Sequence, residues 1–268
     1  MKALNLKKLV AIGAVVLIFG TYASAESGNG GGNGGGAQLC YTDVSKTVEE
    51  SVESYDLYQG RKILRFNIPS WNGVETKKQI TDRVIKKIAV TLPVFAMAMS
   101  NVIDYMNTDG LVVGSTNIAL TIADGSFFPQ TDSRCTYKQM VNWFDPGQYN
   151  EKLEYGNIVL RDNDHYSSGP VHMDPLNQAA LDVHEAAYKV VRDTKYREAW
   201  IKCIGNRGSL EWARCAYTKM KDTPVSDILL FVAQAFSSDQ QLMPLELGEF
   251  GAKGYSIRTS WEYIDRLP

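Results

Sequence analysis

Of the three histidines in the chain, one stands beside a glutamate inside a helical pattern. His184-Glu185 lies in the run Leu181-Asp182-Val183-His184-Glu185-Ala186-Ala187-Tyr188. A His-Glu pair on a helix is how the zinc-peptidase signature HExxH begins, where two imidazoles one turn apart grip the metal and the glutamate activates its water. Position 188 is Tyr, so the second imidazole of that signature is missing. In the metal reading His184 is a zinc ligand, Glu185 is the catalytic base, and His165 or His172 supplies a further ligand from the preceding loop. Asp162, Asp164 and Asp174 in that loop offer oxygens to a harder cation, although the DxDxDG order of a calcium loop is absent.

The same residues admit a purely structural reading. At about 100° per residue, Leu176, Ala179, Ala180, Val183, Ala187, Val190 and Val191 form one apolar stripe. His184 and Tyr188 fall on its border, and Glu185 falls opposite, beside Asp182, Lys189 and Arg192. On that geometry Glu185 makes a surface i,i+4 pair with Lys189, worth roughly 0.2–0.5 kcal/mol. His184 then bonds a loop carbonyl or a carboxylate. A Ser-His-Asp set from Ser167 or Ser168, His184 and Asp162 lacks a GxSxG elbow to orient its nucleophile.

The elements that must position these residues are helices around a small sheet. The spacing of Val48, Val52 and Tyr55 suits a helix from Ser45 to Gln59, and a stronger helical pattern runs from Thr76 to Thr91. Pro93 kinks or ends it, and Val94 to Met106 resumes as a second, more apolar helix. Asn117 to Ile122, Thr136 to Phe144 and Gly156 to Arg161 read as strands of an antiparallel sheet, with a late strand at Tyr255 to Trp261. Asp174-Pro175 starts the His184 helix, since the carboxylate caps free N–H groups and Pro needs no donor there. Further helices are expected at Tyr196 to Ile204, Ser209 to Met220 and Val225 to Phe236. The fold class is therefore α+β, with helices flanking a small antiparallel sheet and a predominantly helical C-terminal half.

The first 25 residues read as a cleaved signal peptide: Lys2, Lys7 and Lys8, an apolar run from Leu9 to Gly20, then Ala23-Ser24-Ala25. The run is too short to span a bilayer, so no membrane span is expected in the mature protein. Residues 26–40 are expected to be a Gly/Asn-rich flexible tether, and 41–268 a single globular domain. Four cysteines in an oxidising compartment imply two disulfides. Cys203 and Cys215 flank the turn-like Gly205-Asn206-Arg207-Gly208, which makes Cys203–Cys215 with Cys40–Cys135 the preferred pairing. The 268 residues carry 44% hydrophobic side chains and a net charge of −2. That balance excludes both extensive disorder and a polybasic nucleic-acid binder. The expected location is periplasmic or extracellular, and the expected partner an envelope or extracellular protein, or a glycan stacked on an exposed Trp.

Gly28-Asn29-Gly30-Gly31, Cys40, the segment Tyr55-Asp56-Leu57-Tyr58 and the His184-to-Tyr188 helix together resemble a loose family of uncharacterised exported bacterial proteins. The resemblance implies export and a shared fold, not a reaction. Where such proteins often carry a larger aliphatic at the third residue after His, this chain has Ala187.

Overall fold

The computed structural model describes residues 35–108, 111–114, 132–144, 158–201, 203, 215, 225–240 and 242. The leader expected at 1–25, the strands expected at 117–122 and 255–261, and all but one residue of the helix expected at 209–220 lie outside them.

Two three-stranded sheets are accompanied by a set of helices. The first has the order β2–β1–β4, all antiparallel, with β1 at Gly36–Tyr41, β2 at Glu49–Ser54 and β4 at Cys135–Gln139. The second has the order β3–β6–β5, from β3 at Leu111–Gly114, β5 at Val141–Phe144 and β6 at Ile158–Asp162. Its β3/β6 pair is parallel and its β5/β6 pair antiparallel. Between them run α1 (Tyr55–Lys62), α2 (Lys77–Thr91), α3 (Pro93–Thr108), a π-helical turn (Asp164–Ser168), α4 (Pro175–Ile201) and α5 (Val225–Phe236).

Three expectations need correction. The tether does not extend to residue 40, because Gly36–Tyr41 is the central strand of the first sheet, with Ala37 and Leu39 in the core. The segment read as one helix from Ser45 to Gln59 divides at Ser54 into β2 and α1. Val52 faces the core from the strand and pairs with Leu39, which its helical spacing from Val48 concealed. The strand read over Thr136 to Phe144 is two, one in each sheet, parted at Met140.

The helices follow their local chemistry. Thr76 caps α2, its hydroxyl accepting from Gln79 N while Gln79 Oε1 accepts from Thr76 N at 2.9 Å. Leu92 leaves helical geometry, and Pro93 opens α3 at a position that needs no N–H donor. Asp174 caps α4, with its Oδ1 2.8 Å from Asn177 N. No Gly or Pro follows before residue 201, so α4 runs through the start expected for a separate helix at Tyr196.

Helix α4 is the axle of the fold. It packs against α1, α2, α3, α5 and β2, and every residue from 179 to 189 is buried. Ala179, Ala180, Ala186 and Ala187 on its surface are small enough to admit close neighbours. A helix enclosed on all sides has no wet face, so its polar residues must find partners inside the protein.

Candidate functional site

His184 and Glu185 sit mid-way along α4, both enclosed. The His184 Nδ1 lies 2.7 Å from Asp56 Oδ1, an ion pair between α4 and the first turn of α1. Asp56 is itself steadied by Ser54, whose Oγ donates to Asp56 Oδ2 at 3.2 Å. Ser54 N in turn donates to Asn177 Oδ1 at 2.8 Å, which ties the β2–α1 junction back to α4. Burial works against a charge on His184, but the Asp56 carboxylate outweighs it, and the imidazole pKa stands above its ordinary value. The other ring nitrogen, Nε2, is buried and has no hydrogen-bond partner among the described residues.

Glu185 is 1% exposed. Its Oε2 accepts from Trp143 Nε1 at 2.7 Å, and its Oε1 accepts from Gly35 N. Burial pushes the carboxyl up to about 7, against the opposing pull of His184 and of the two donated hydrogen bonds. Gly35 O accepts from Met140 N at 3.0 Å and from Val141 N at 3.3 Å, so this one glycine ties the entry of β1 to both sheets. A Cβ on Gly35 would stand 2.7 Å from Glu185 Oε1 and 2.8 Å from Leu181 Cδ1. A Cβ on Gly36 would stand 2.2 Å from the Tyr137 ring. Only glycine lets the backbone come this close to α4. Tyr137 belongs to the same neighbourhood, its hydroxyl pKa raised first by burial and then by Asp56 and Glu185.

The expected surface pair of Glu185 with Lys189 is not formed. Lys189 is buried, bonds Asp193 one turn on and lies 5.3 Å from the centroid of the Trp143 ring. The helical wheel sent Glu185 to solvent because it assumed that α4 has an outer face.

The other histidines go elsewhere. His165, on the π-helical turn, meets Asp162 Oδ2 through Nδ1 at 2.9 Å and both oxygens of Glu49 through Nε2 at 3.1 and 3.2 Å. Lys138 Nζ lies 2.6 Å from Asp162 Oδ2 and 3.1 Å from His165 Nδ1. The hydrogen bond to Asp162 raises the imidazole pKa against burial. Burial opposes ionisation of Asp162, but His165 and Lys138 prevail and hold it well below the usual carboxylate range. His172 is exposed, with Nδ1 2.8 Å from Gly169 O. The zinc set of His184, His165 and His172 is therefore not assembled: each imidazole is committed to partners on different elements. Among the described residues no three His, Cys, Asp or Glu side chains converge as a group able to hold a metal ion. The Ser-His-Asp alternative fails likewise, since Ser168 Oγ bonds Asn163 O, His184 bonds Asp56, and Asp162 bonds His165 and Lys138.

A third polar cluster faces another side of α4. Asp182 accepts from Tyr166 Oη at 2.9 Å and from Lys77 Nζ at 2.8 Å, and Arg161 stacks 3.6 Å above the Tyr166 ring. Sequence reasoning did not assign Asp56, Trp143, Gly35, Glu49 or Lys138 to any site. Asp56 alone carried a signal, lying within the Tyr55-to-Tyr58 segment that supports the family resemblance.

All four cysteines are paired, Cys40 with Cys135 and Cys203 with Cys215. Cys40 and Cys135 face each other across β1 and β4, with 4.0 Å between their Cα atoms. No described helix is long and apolar enough to cross a membrane. Compared with family models, with curated proteins and with solved structures, the chain matches none.

Proposed function

We propose that this is an exported protein, held by disulfides, that acts in the cell envelope or outside the cell by binding a protein or glycan partner. In this reading His184-Glu185 is the internal clasp of the fold and not a hydrolytic centre. One observation carries the choice of binding over hydrolysis: each Glu185 oxygen already accepts a hydrogen bond from a fixed buried donor, and solvent does not reach the residue. A general base must instead offer an oxygen within hydrogen-bond reach of the water it activates. Export draws support from the two disulfides, which persist in oxidising compartments.

The second reading, a metal-dependent hydrolase centred on His184 and Glu185, has one observation in its favour. Nε2 of His184 has no partner among the described residues while a carboxylate orients Nδ1, the usual arrangement of a ligand imidazole. Metal analysis of the purified protein decides between the two. Stoichiometric zinc that disappears in His184→Ala overturns the clasp reading; zinc-free protein whose Glu185→Gln variant folds and keeps its fluorescence spectrum supports it. Export is checked on the cell fractions. A mature chain beginning at Glu26, with all four thiols protected from alkylation, is expected outside the cytoplasm.

A further inference from the structure

His165 stands against carboxylates on both sides of its ring. Nδ1 faces Asp162 of β6, Nε2 faces Glu49 of β2, and Lys138 of β4 reaches over the Asp162 side. β2 and β4 are the two outer strands of the first sheet, with β1 between them. Of the other titratable groups of the turn and the loop after it, Asp164 and His172 are exposed, Tyr166 is buried with its hydroxyl on Asp182, and Asp174 is half-buried and caps α4. A neutral imidazole has one N–H and can donate to only one of two carboxylates, whereas the imidazolium donates to both. We propose that His165 is a proton-operated clasp, closed in the doubly protonated form, that fastens the start of β2 to the π-helical turn and releases it when the proton leaves.

The release is one-sided because the two carboxylates are not equally provided for. Asp162 keeps the Lys138 ammonium at 2.6 Å and the backbone N–H of His165 at 3.4 Å. Glu49 has no side-chain partner other than His165 among the described residues, and its own side chain is 37% exposed. When the proton goes, Glu49 faces either a lone pair or an uncharged N–H. The second case arises if Lys138 donates into the vacated Nδ1 lone pair. Either tautomer weakens the hold: the first loses the N–H to Glu49 altogether, and the second keeps a hydrogen bond to the carboxylate but loses the attraction of the imidazolium charge. The segment set loose is the loop end of the β1–β2 hairpin, where Glu49 pairs with Tyr41. Its connecting loop holds Val44 and Val48 out to solvent, 71% and 56% exposed. Raising the pH past the His165 midpoint therefore frees the strand end next to the hairpin's apolar tip, and lowering it locks that end down.

The test uses the whole protein. The His165 ring is followed by proton–carbon NMR from pH 5 to 9, and hydrogen exchange of the amides of β2 and residues 42–48 is compared at pH 6 and pH 8 after correction for intrinsic rates. The expected result is a His165 midpoint above 6.5 and protection of β2 that falls by roughly threefold between the two pH values. In Glu49→Gln the midpoint should move down and the pH effect on β2 should vanish. Glu49 is partly exposed, so this variant keeps the test intact should His165→Gln fail to fold. A midpoint at or below 6.5, or β2 protection that changes with pH to the same degree in Glu49→Gln, overturns the proposal. Exchange near Gly35 and Trp143, which reports on Glu185, serves as the internal control for pH effects from elsewhere.

Discussion

Glu185 is a carboxyl group taken out of water, with two donated hydrogen bonds and a neighbouring imidazole in place of solvent. Burial still leads, so the folded protein holds its proton up to about pH 7 while the unfolded chain releases it near 4.5. Between those values the native state binds the extra proton, and stability must fall as the pH rises. The size of the effect is on the order of 3 kcal/mol. His184 acts with the same sign: its raised pKa stabilises below the ordinary imidazole value, and that contribution is lost as pH climbs through the folded one. Urea midpoints should therefore be higher at pH 5 than at pH 8, and Glu185→Gln, which keeps an amide oxygen for one of the two donors, should flatten the difference. A second test belongs to the backbone that touches this carboxyl. Gly35→Ala forces a methyl against Glu185 Oε1, Leu181 and the His184 ring, and should cost about 1–3 kcal/mol in equilibrium unfolding.

At the scale of elements, the ends of helices carry the clearest tests. Thr76→Ala removes the hydroxyl half of the α2 cap and should lower stability by about 1 kcal/mol. Lys87 of α2 closes the end of α5, with Nζ 2.9 Å from Gln234 O and 2.6 Å from Ser237 O. Lys87→Met should cost about 1–3 kcal/mol in thermal or urea melts, since it strips two charge-assisted bonds from buried carbonyls. These helices were also the legible part of the fold. The span of α5 is the expected one, α2 and α3 end within two residues of expectation, and the Asp174 cap stands where its carboxylate and the following Pro placed it. What remained hidden depended on distant partners. β2 reads Glu-Glu-Ser-Val-Glu-Ser, an edge strand with one buried aliphatic, and neither periodicity picks it out. Glu185 was misplaced for a related reason. Its donors are a glycine 150 positions earlier and a tryptophan on a strand 42 positions earlier, and no helical wheel includes them. The neighbouring Asp56 was visible only as part of a resemblance, since nothing local says that an acid opening a short helix will meet an imidazole 128 residues later.

Across the whole molecule, the longest covalent constraint is Cys40–Cys135, which closes a 95-residue separation within the first sheet. Replacing both cysteines by alanine should lower stability by about 2–5 kcal/mol, read as a shift in urea midpoint under non-reducing conditions. A noncovalent join between the two sheets lies at Met140. There the chain steps from β4 to β5: Met140 N donates to Gly35 O at 3.0 Å, and Met140 O accepts from Asp162 N at 2.9 Å. One residue thus sews the start of β1 to the end of β6, so neither sheet can peel away without tearing the other. The two should melt together as a single foldon, and the amides of Met140 and Asp162 should open to deuterium at the same free energy, as the slowest-exchanging seam of the protein.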